Sequence, residues 1–225
     1  MQEKLEDAHK FKIWKQNLEA NGLIINGIEE IYTRRRYNGE VLFSTLMLDA
    51  ETPEGDKIPP ICFLKGEVVC VLMCLIDEKT KEKFLLLVKQ RRIAEGGFIY
   101  EHPAGIVDGT KTPLEIAVQE VREETGLQVL DNQLVSLSDK RLFPATGTSD
   151  EAMYFYFCEI EMSKNEIEAL NNQETGTDYE FERITTHVLP FVEGHHLITN
   201  TNCLLQNYLY LSKVGDWEIL KALEN

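Results

Sequence analysis

The sequence lacks a long apolar run. Its first ten residues, MQEKLEDAHK, contain no hydrophobic core of a signal peptide. No later stretch approaches the roughly 20 apolar residues that a membrane-spanning helix needs. These two absences predict a cytoplasmic protein that does not enter a membrane.

The cysteines form no zinc-type CxxC pair and give no disulfide pattern. The chain has five cysteines, an odd number, with no CxxC pair among them. Three lie in or beside apolar runs, where cysteine behaves as a small buried hydrophobic residue. We therefore expect no structural disulfides. The cysteines are Cys62, Cys70, Cys74, Cys158 and Cys203.

Positively charged residues are also few relative to negatively charged ones. Lysine and arginine number 23 against 38 aspartates and glutamates, which gives a formal net charge of −15. Such a surface repels nucleic-acid backbones and argues against a polynucleotide partner. A small phosphorylated substrate remains compatible with this charge, provided that metal ions and a few placed arginines overcome the field locally.

The length of 225 residues fits one domain with an appendage, or two small domains. Residues 6–20 carry apolar side chains at helical spacing. Two β-like runs, 23–37 and 41–49, then flank the hairpin signal Asn38-Gly39. We interpret residues 1–60 as a helix and β appendage, too small in hydrophobic content to stand alone, and residues 61–225 as the main domain.

The main domain mixes strands with a few helices. Val68–Ile76 is a continuous apolar run, as expected for a strand buried on both faces. Further strands are predicted over 84–88, 134–142, 153–160 and 181–189, and helices over 164–170 and 200–213, while residues 98–102 lead into the central loop. The sequence therefore predicts an α+β fold.

The stretch from Pro103 to Leu127, PAGIVDGTKTPLEIAVQEVREETGL, contains a well-delimited helix. Thr112 and Glu115 form a capping-box pattern around Pro113, which suits the first helical position. Gly126 suits the left-handed residue that ends many helices. The apolar side chains that share one face and are expected to point to the core are Leu114, Ala117, Val118 and Val121.

Three glutamates of this helix, Glu120, Glu123 and Glu124, fall on another face. Like charges at these spacings destabilise a helix by a few tenths of a kcal/mol per pair, so stability alone does not explain them. A solvated acidic face is the simplest alternative. The preceding glycine loop and the capped start favour a site for a hard divalent cation, which prefers carboxylate oxygens.

The pattern resembles the Nudix box: a glycine, five residues, Glu, seven residues, then Arg-Glu-apolar-any-Glu-Glu-any-Gly-apolar. Seven positions are in register: Gly105, Glu120, Val121, Glu123, Glu124, Gly126 and Leu127. Two positions depart, since Lys111 stands where the family has Glu and Gln119 where it has Arg. Both usually help to orient the carboxylates, so these departures bear on efficiency rather than on reaction class.

The resemblance extends beyond the box. The order of KGEVVCVLM, VKQRR, EHPAG and FPATGTSDE, together with FKIWKQNLE near the start, is similar to the nucleotide-sugar branch, in particular to ADP-sugar diphosphatases of the plant type. This implies the Nudix fold, a mixed β-sheet sandwiched between helices, with an N-terminal helix and β-hairpin appendage. It also implies a homodimer whose N-terminal strands cross onto the partner subunit.

The resemblance assigns roles to particular residues. Glu120, Glu123 and Glu124 would bind two or three Mg²⁺, or Mn²⁺, with help from the main-chain carbonyl of Ala104. Arg92 and Glu101 would contact the substrate, although Arg92 also fits a surface charge at a strand end. Glu151 would orient or deprotonate the attacking water, with its neighbour Asp150 as the alternative and an ordinary loop carboxylate as the simpler interpretation.

Two histidine positions are given structural interpretations. His195-His196 suggests a metal pair, but a flexible tip after Gly194 is preferred. His102, before Pro103, is interpreted as a spacer rather than a catalytic residue.

The function implied is metal-dependent hydrolysis of the pyrophosphate bond of a nucleoside diphosphate sugar of the ADP-ribose or ADP-glucose type. The products are a nucleoside monophosphate and a sugar phosphate. Two alternatives remain: a Nudix hydrolase of UDP- or GDP-sugars or another nucleoside diphosphate derivative, and a sensor that binds a nucleotide sugar without cleaving it. The intact glutamates and the absence of a helix-turn-helix signal favour an enzyme.

Overall fold

The computed structural model describes residues 2–109, 111–176 and 183–224. The chain forms two compact units. The first combines Met1–Val68 with the segments Ile106–Lys111 and Arg141–Met153. The second combines Val69–Gly105, Thr112–Lys140 and Tyr154–Asn225.

In the first unit, helix α1 (His9–Ala20) precedes an antiparallel sheet in the order β1-β2-β3. The strands are β1 (Ile24–Arg35), β2 (Val41–Glu51) and β3 (Ile61–Leu64). The turn between β1 and β2 falls at Asn38-Gly39, where Gly39 adopts a φ of 92°. Glycine reaches this left-handed conformation without a steric penalty, and the predicted hairpin is confirmed.

The first unit has its own hydrophobic core. Phe11 and Trp14 of α1 lie with ring centroids 5.8 Å apart and belong to the same buried cluster as Leu46 and Leu64, whose exposure is 0%. The side of the sheet that packs on α1 is therefore closed. Edge strand β1 instead exposes large apolar residues, including Ile24, Ile31 and Tyr32.

The larger sheet runs in the order β10-β11-β5-β4-β9-β8 among the described residues, with β6 paired to β5 and β7 to β4. Its strands are β4 (Glu67–Asp77), β5 (Lys83–Arg91), β6 (Phe98–Glu101), β7 (Ala104–Ile106), β8 (Val135–Ser136), β9 (Ala152–Met162), β10 (Glu174–Thr175) and β11 (Ile184–Pro190).

Helices flank this sheet. They are α2 (Pro113–Thr125), α3 (Lys164–Ala169), α4 (Phe191–Leu197), α5 (Thr201–Val214) and α6 (Trp217–Ala222). Residues 68–75 of β4 and 84–88 of β5 are all buried, as expected for strands covered on both faces. The predicted α+β architecture is confirmed.

Two predicted strands differ from the structure. Only Val135–Ser136 forms a strand within 134–142, because the polar residues that follow leave the ladder and Leu142 makes an isolated bridge with Met153. The strand predicted over 181–189 is Ile184–Pro190, and residues 181 and 182 lie outside the described part of the chain. The division at residues 60 and 61 stays a prediction.

The flexible tip predicted at His195-His196 is wrong. Both residues belong to α4, and His195 is only 6% exposed. A Cβ atom built on Gly194 would lie 3.2 Å from the Cβ and Cδ1 atoms of Leu85. Glycine is present here because α4 packs closely against β5. From the sequence alone, a glycine required by such packing looks the same as a glycine in a loop.

All five cysteines are free and buried. Burial raises the pKa of the Cys74 thiol to about 12 and that of Cys158 to about 11. Burial and the nearby charge of Asp150 raise the pKa of Cys62 to about 12. Within the described residues, helices long and apolar enough to cross a membrane are absent.

Candidate functional site

Helix α2 begins and ends as its sequence predicts. The Thr112 side chain accepts a hydrogen bond from the Glu115 backbone N–H, and the Glu115 carboxylate accepts one from the Thr112 backbone N–H at 2.7 Å. Gly126 ends the helix with a φ of 74°. Ala117 and Val121 are fully buried, while Leu114 and Val118 are half-buried. The helix is thus fixed at both ends and along its apolar face.

Gly105, the first residue of the box, leaves space for Glu120. A Cβ atom at position 105 would lie 2.0 Å from Oε1 and 2.2 Å from Cδ of Glu120. Real side chains do not approach so closely, so only glycine allows the Glu120 carboxylate to lie against this backbone. The box glycine therefore shapes the surroundings of the first predicted metal ligand.

Glu124 is buried, with 2% of the residue exposed. Its Oε2 atom accepts a hydrogen bond of 2.9 Å from the backbone N–H of Ala104. A buried carboxylate is costly unless it is hydrogen-bonded or paired, and a solvated acidic face does not explain this position. The contact joins α2 to the segment that carries the Ala104 carbonyl.

Glu123 is half-buried and accepts a hydrogen bond from a side chain of its own helix. Gln119, one turn earlier, donates a hydrogen bond of 3.2 Å from Nε2 to Oε2 of Glu123. The residue that replaces the family's arginine thus still orients a glutamate, but without a positive charge. The Glu123 main-chain carbonyl accepts from the Gly176 N–H at 3.0 Å, which ties the end of α2 to the residue that follows β10.

The three glutamates supply the donors that a hard divalent cation prefers, carboxylate oxygens on one helix. Across residues 2–109, 111–176 and 183–224, however, no three carboxylate, imidazole or thiol groups gather closely enough to hold a metal ion. The donor chemistry therefore fits a metal, whereas the described side chains are arranged by protein hydrogen bonds.

Arg92 and Glu101 form an ion pair at the ends of neighbouring strands. Arg92 Nε donates to Oε2 of Glu101 at 2.8 Å, and the Arg92 side chain is 40% exposed while that of Glu101 is 7% exposed. The other carboxylate oxygen of Glu101 accepts from Nδ2 of Asn200 at the start of α5. A buried carboxylate is thus held from both sides beside an accessible guanidinium.

His102 is completely buried and lies in a polar network. Its backbone N–H donates to Sγ of Cys203 at 3.3 Å, and its Nε2 lies 2.9 Å from Oδ1 of Asn207. Asn207 Nδ2 is 3.0 Å from Nδ1 of His195. Burial lowers the pKa of His102 to about 4, so the ring is neutral at neutral pH and has no charge to contribute to a site.

Glu151 and Asp150 belong to the first unit and differ sharply in their surroundings. Asp150 Oδ1 accepts from the backbone N–H groups of Lys65 and Gly66 at 2.7 and 3.1 Å, and burial raises the pKa of its carboxyl. Glu151 Oε1 instead pairs with the flexible Lys65 ammonium at 2.8 Å. Asp150 thus ties its loop to the 65–66 turn, while the Glu151 carboxylate is held by a side-chain ion pair.

Sequence reasoning missed Asn200 and Asn207. Asn200 is recognisable as the residue at the start of a helix, but no local signal connects it to Glu101, 99 positions earlier.

Lys111, the second departure from the box, is exposed and immediately precedes the cap of α2.

Comparison with known proteins identifies the family. The family model described as NUDIX domain matches residues 66–191, more than half of the chain. The chain therefore belongs to the Nudix family and is a Nudix hydrolase, a class that generally uses divalent metals to act on small nucleotide substrates.

Two relatives and one solved structure are similar to it. The chain is 29% identical over 221 residues to Nudix hydrolase 14, chloroplastic, of Arabidopsis thaliana, covering 91% of this chain and 70% of that protein. It is 28% identical over 101 residues to Putative nudix hydrolase 2 of Caenorhabditis elegans, covering 43% and 44% of the two chains. A crystal structure of an ADP compounds hydrolase matches with a TM-score of 0.59 and 17% identity, over 86% of this chain and 96% of that one. This last likeness supports the fold.

Proposed function

We propose that the protein hydrolyses the pyrophosphate bond of a nucleoside diphosphate sugar of the ADP-ribose or ADP-glucose type, using Mg²⁺ or Mn²⁺. The observation that carries this proposal is the buried Glu124 carboxylate bonded to Ala104 N–H, on a helix that also presents Glu120 and Glu123. The sequence order around the box supports the nucleotide-sugar branch. The name of the structural neighbour, an ADP compounds hydrolase, agrees with an adenine nucleotide.

Glu120, Glu123 and Glu124 would hold the metal, together with the Ala104 carbonyl. When bound, a divalent cation neutralises phosphate charge and lowers the pKa of water. Glu124 already fixes the Ala104 backbone through its N–H, so the carbonyl of the same residue is presented by an ordered segment. Gly105 leaves the space in which Glu120 lies.

Arg92 would bind a phosphate oxygen of the substrate. Its Nε is engaged by Glu101 while 40% of its side chain is exposed, so the terminal amino groups can donate to an anion. Glu101 would accept a hydrogen bond from the ligand with a remaining lone pair.

We assign the attacking water to Glu151 rather than to Asp150. The Asp150 carboxylate is occupied by backbone N–H groups that define the loop. Glu151 can exchange its lysine partner for a water without loss of loop structure. The role itself comes from the family resemblance. We expect Glu151→Gln to leave the metal titration unchanged and to reduce turnover greatly.

A panel of nucleotide sugars tests the substrate. Purified protein with Mg²⁺ is incubated with ADP-ribose, ADP-glucose, UDP-glucose and GDP-mannose, and the products are separated by ion-exchange chromatography. We expect adenosine monophosphate and a sugar phosphate, formed fastest from the ADP compounds and abolished by a chelator. Preferential cleavage of UDP- or GDP-sugars contradicts the base assignment, and binding without cleavage indicates a sensor. Cytoplasmic location stays a prediction from the sequence.

A further inference from the structure

Helix α5 and the residue that caps it, Asn200, direct a polar stripe at the segment that carries Glu101 and His102. Asn200, Cys203 and Asn207 lie at the helical spacings i, i+3 and i+7, which places them on one side of the helix. Asn200 contacts the Glu101 carboxylate, Cys203 the His102 backbone, and Asn207 the His102 ring. Buried polar groups stabilise a fold only when they are paired, so this stripe specifies how one segment lies against α5.

Asn200 uses both ends of its amide. Oδ1 accepts from the backbone N–H groups of Asn202 and Cys203 at 2.9 and 3.4 Å, which caps α5. Nδ2 donates to Oε1 of Glu101. Serine and aspartate also cap helices well, but neither offers a second, donating group at this reach. Asparagine is therefore the residue type that performs both tasks.

The two hydrogen bonds fix the orientation of Glu101. Oε2 is bonded to Nε of Arg92 at 2.8 Å and Oε1 to Asn200, so rotation of the carboxylate breaks at least one of them. The N-terminus of a helix also favours a nearby negative charge. Because Glu101 holds Arg92 by Nε, a fixed Glu101 fixes the direction of the guanidinium.

We propose that Asn200 is a positioning residue for substrate binding: it holds Glu101, and through Glu101 it aims Arg92. The proposal rests on the proposed function, in which Arg92 and Glu101 contact the substrate. Asn200 acts through its neighbours and is needed for binding geometry rather than for the chemical step.

Two substitutions separate capping from positioning. Asn200→Ser keeps a cap and removes the donor, while Asn200→Asp keeps a cap and sets a second carboxylate against Glu101, which favours repulsion. With the nucleotide sugar that the wild type cleaves best, we expect Asn200→Ser to raise KM about tenfold with kcat changed less than about twofold. Asn200→Asp should raise KM further. The melting temperature of Asn200→Ser should stay within about 2 °C of the wild type.

The matched control is Ser163→Ala. Ser163 caps α3 through a capping box with Glu166, so its removal weakens a helix start that has no part in the proposed site. This variant should lower the melting temperature by a few degrees and leave KM unchanged. If KM instead tracks melting temperature across Ser163→Ala, Asn200→Ser and Asn200→Asp, Asn200 is only a cap and the proposal is overturned.

A double-mutant cycle tests the route through Glu101. In a Glu101→Ala background, Asn200→Ser should change KM less than about twofold, since the carboxylate that Asn200 positions is absent. An undiminished tenfold effect in that background would show that Asn200 acts elsewhere.

A structural measurement separates failure of this proposal from failure of the proposed function. If the wild type cleaves no nucleotide sugar, the function is wrong, but crystal structures of the wild type and Asn200→Ser still decide the positioning. We expect the guanidinium of Arg92 and the carboxylate of Glu101 to be displaced in the variant. Unchanged positions of both groups would overturn the proposal whether or not the enzyme turns over.

Discussion

At the scale of single residues, Gly105 and Glu124 bind the central helix to the segment before it in different ways. Gly105 contributes by lacking a side chain, because a Cβ there would fall within 2.0–2.6 Å of Glu120. Glu124 contributes a buried carboxylate that accepts the Ala104 N–H. The same few residues therefore serve packing and the proposed chemistry, and substitutions can separate the two.

Gly105→Ala should displace Glu120 and abolish most activity. The added methyl group and the Glu120 carboxylate cannot occupy the same space, so the carboxylate must move away from this backbone. We expect a loss of at least about a hundredfold in kcat/KM, by analogy with the effect of misplacing a catalytic group. Gly27→Ala is the control, because a Cβ there meets no atom within 4 Å. Equal activities of the two variants would contradict this account.

Glu124→Gln should reduce turnover by orders of magnitude while preserving the fold. Glutamine can still accept the Ala104 N–H with its side-chain oxygen, but it removes the charge that would bind a cation. Since a carboxylate costs more free energy to bury than a neutral amide, the metal-free variant should be as stable as the wild type or more so. Circular dichroism melting and an Mg²⁺-dependent assay measure the two effects. Glu193→Gln, at an exposed position of α4, is the control, and near-normal activity of Glu124→Gln would refute the metal assignment.

Gln119→Arg should lower the metal concentration that gives half-maximal rate. Gln119 holds Glu123 through an uncharged donor, which compensates the repulsion among the three glutamates less than an arginine would. An arginine at this position adds a positive charge and several donors and should order the carboxylates before the metal binds. Gln128→Arg adds the same charge beyond α2 and should leave the titration unchanged. Identical titrations for wild type and Gln119→Arg would mean that another group already supplies the arginine's effect.

At the scale of elements, helix α4 contains a glycine that is required by close packing and not by a turn. Gly194 lies inside the helix and faces Leu85 and Leu87, both completely buried. Glycine in a helix normally destabilises it by roughly 0.5–1 kcal/mol relative to alanine. Here the gain from alanine is opposed by contacts of 3.2 Å to a core that cannot easily yield.

Gly194→Ala should therefore lower the melting temperature by several degrees. Overpacking a close-packed core typically costs about 1–3 kcal/mol, which exceeds the gain in helix propensity. Thermal unfolding measures the effect, with Gly27→Ala again as the control. A raised melting temperature would mean that α4 is not pressed against β5.

The elements were largely predictable from sequence, and the reason differs from one to the next. Helix α2 has capping residues at both ends, Thr112 and Glu115 at its start and Gly126 at its end, so local signals define its bounds. The interior of strand β4, residues 68–76, is apolar throughout and therefore predicts a buried strand. Helix α4 was missed because its glycine and paired histidines resemble a loop until the packing against Leu85 is known. The Asn200–Glu101 contact was not predictable, since it joins residues far apart in the chain.

At the scale of the whole molecule, the first unit leaves apolar side chains uncovered. Edge strand β1 is 12 residues long and exposes Ile24, Ile31 and Tyr32 at 49%, 53% and 56%. A long edge strand with exposed apolar residues is a template for pairing with another chain. The exposed apolar residues of β1 support the proposal of a homodimer formed through the N-terminal strands.

Light scattering coupled to size-exclusion chromatography should report about twice the mass of the 25.9 kDa chain. Ile31→Lys and Tyr32→Lys together should shift the species towards monomer, since charge on an edge strand opposes pairing. Glu29→Lys with Glu30→Lys, which adds lysines to the same strand without removing apolar area, is the matched control. A monomer at working concentrations would count against the dimer.

The buried thiols make each unit report on its own stability. Only the thiolate reacts readily with an alkylating reagent, and the raised pKa values of Cys62, Cys74 and Cys158 keep thiolate scarce in the native state. Modification must therefore await local unfolding, whose free energy varies across a structure. Cys62 is the sole cysteine of the first unit, and the other four belong to the second. Pulsed alkylation read by peptide mass spectrometry would thus give two opening equilibria from one unmodified sequence.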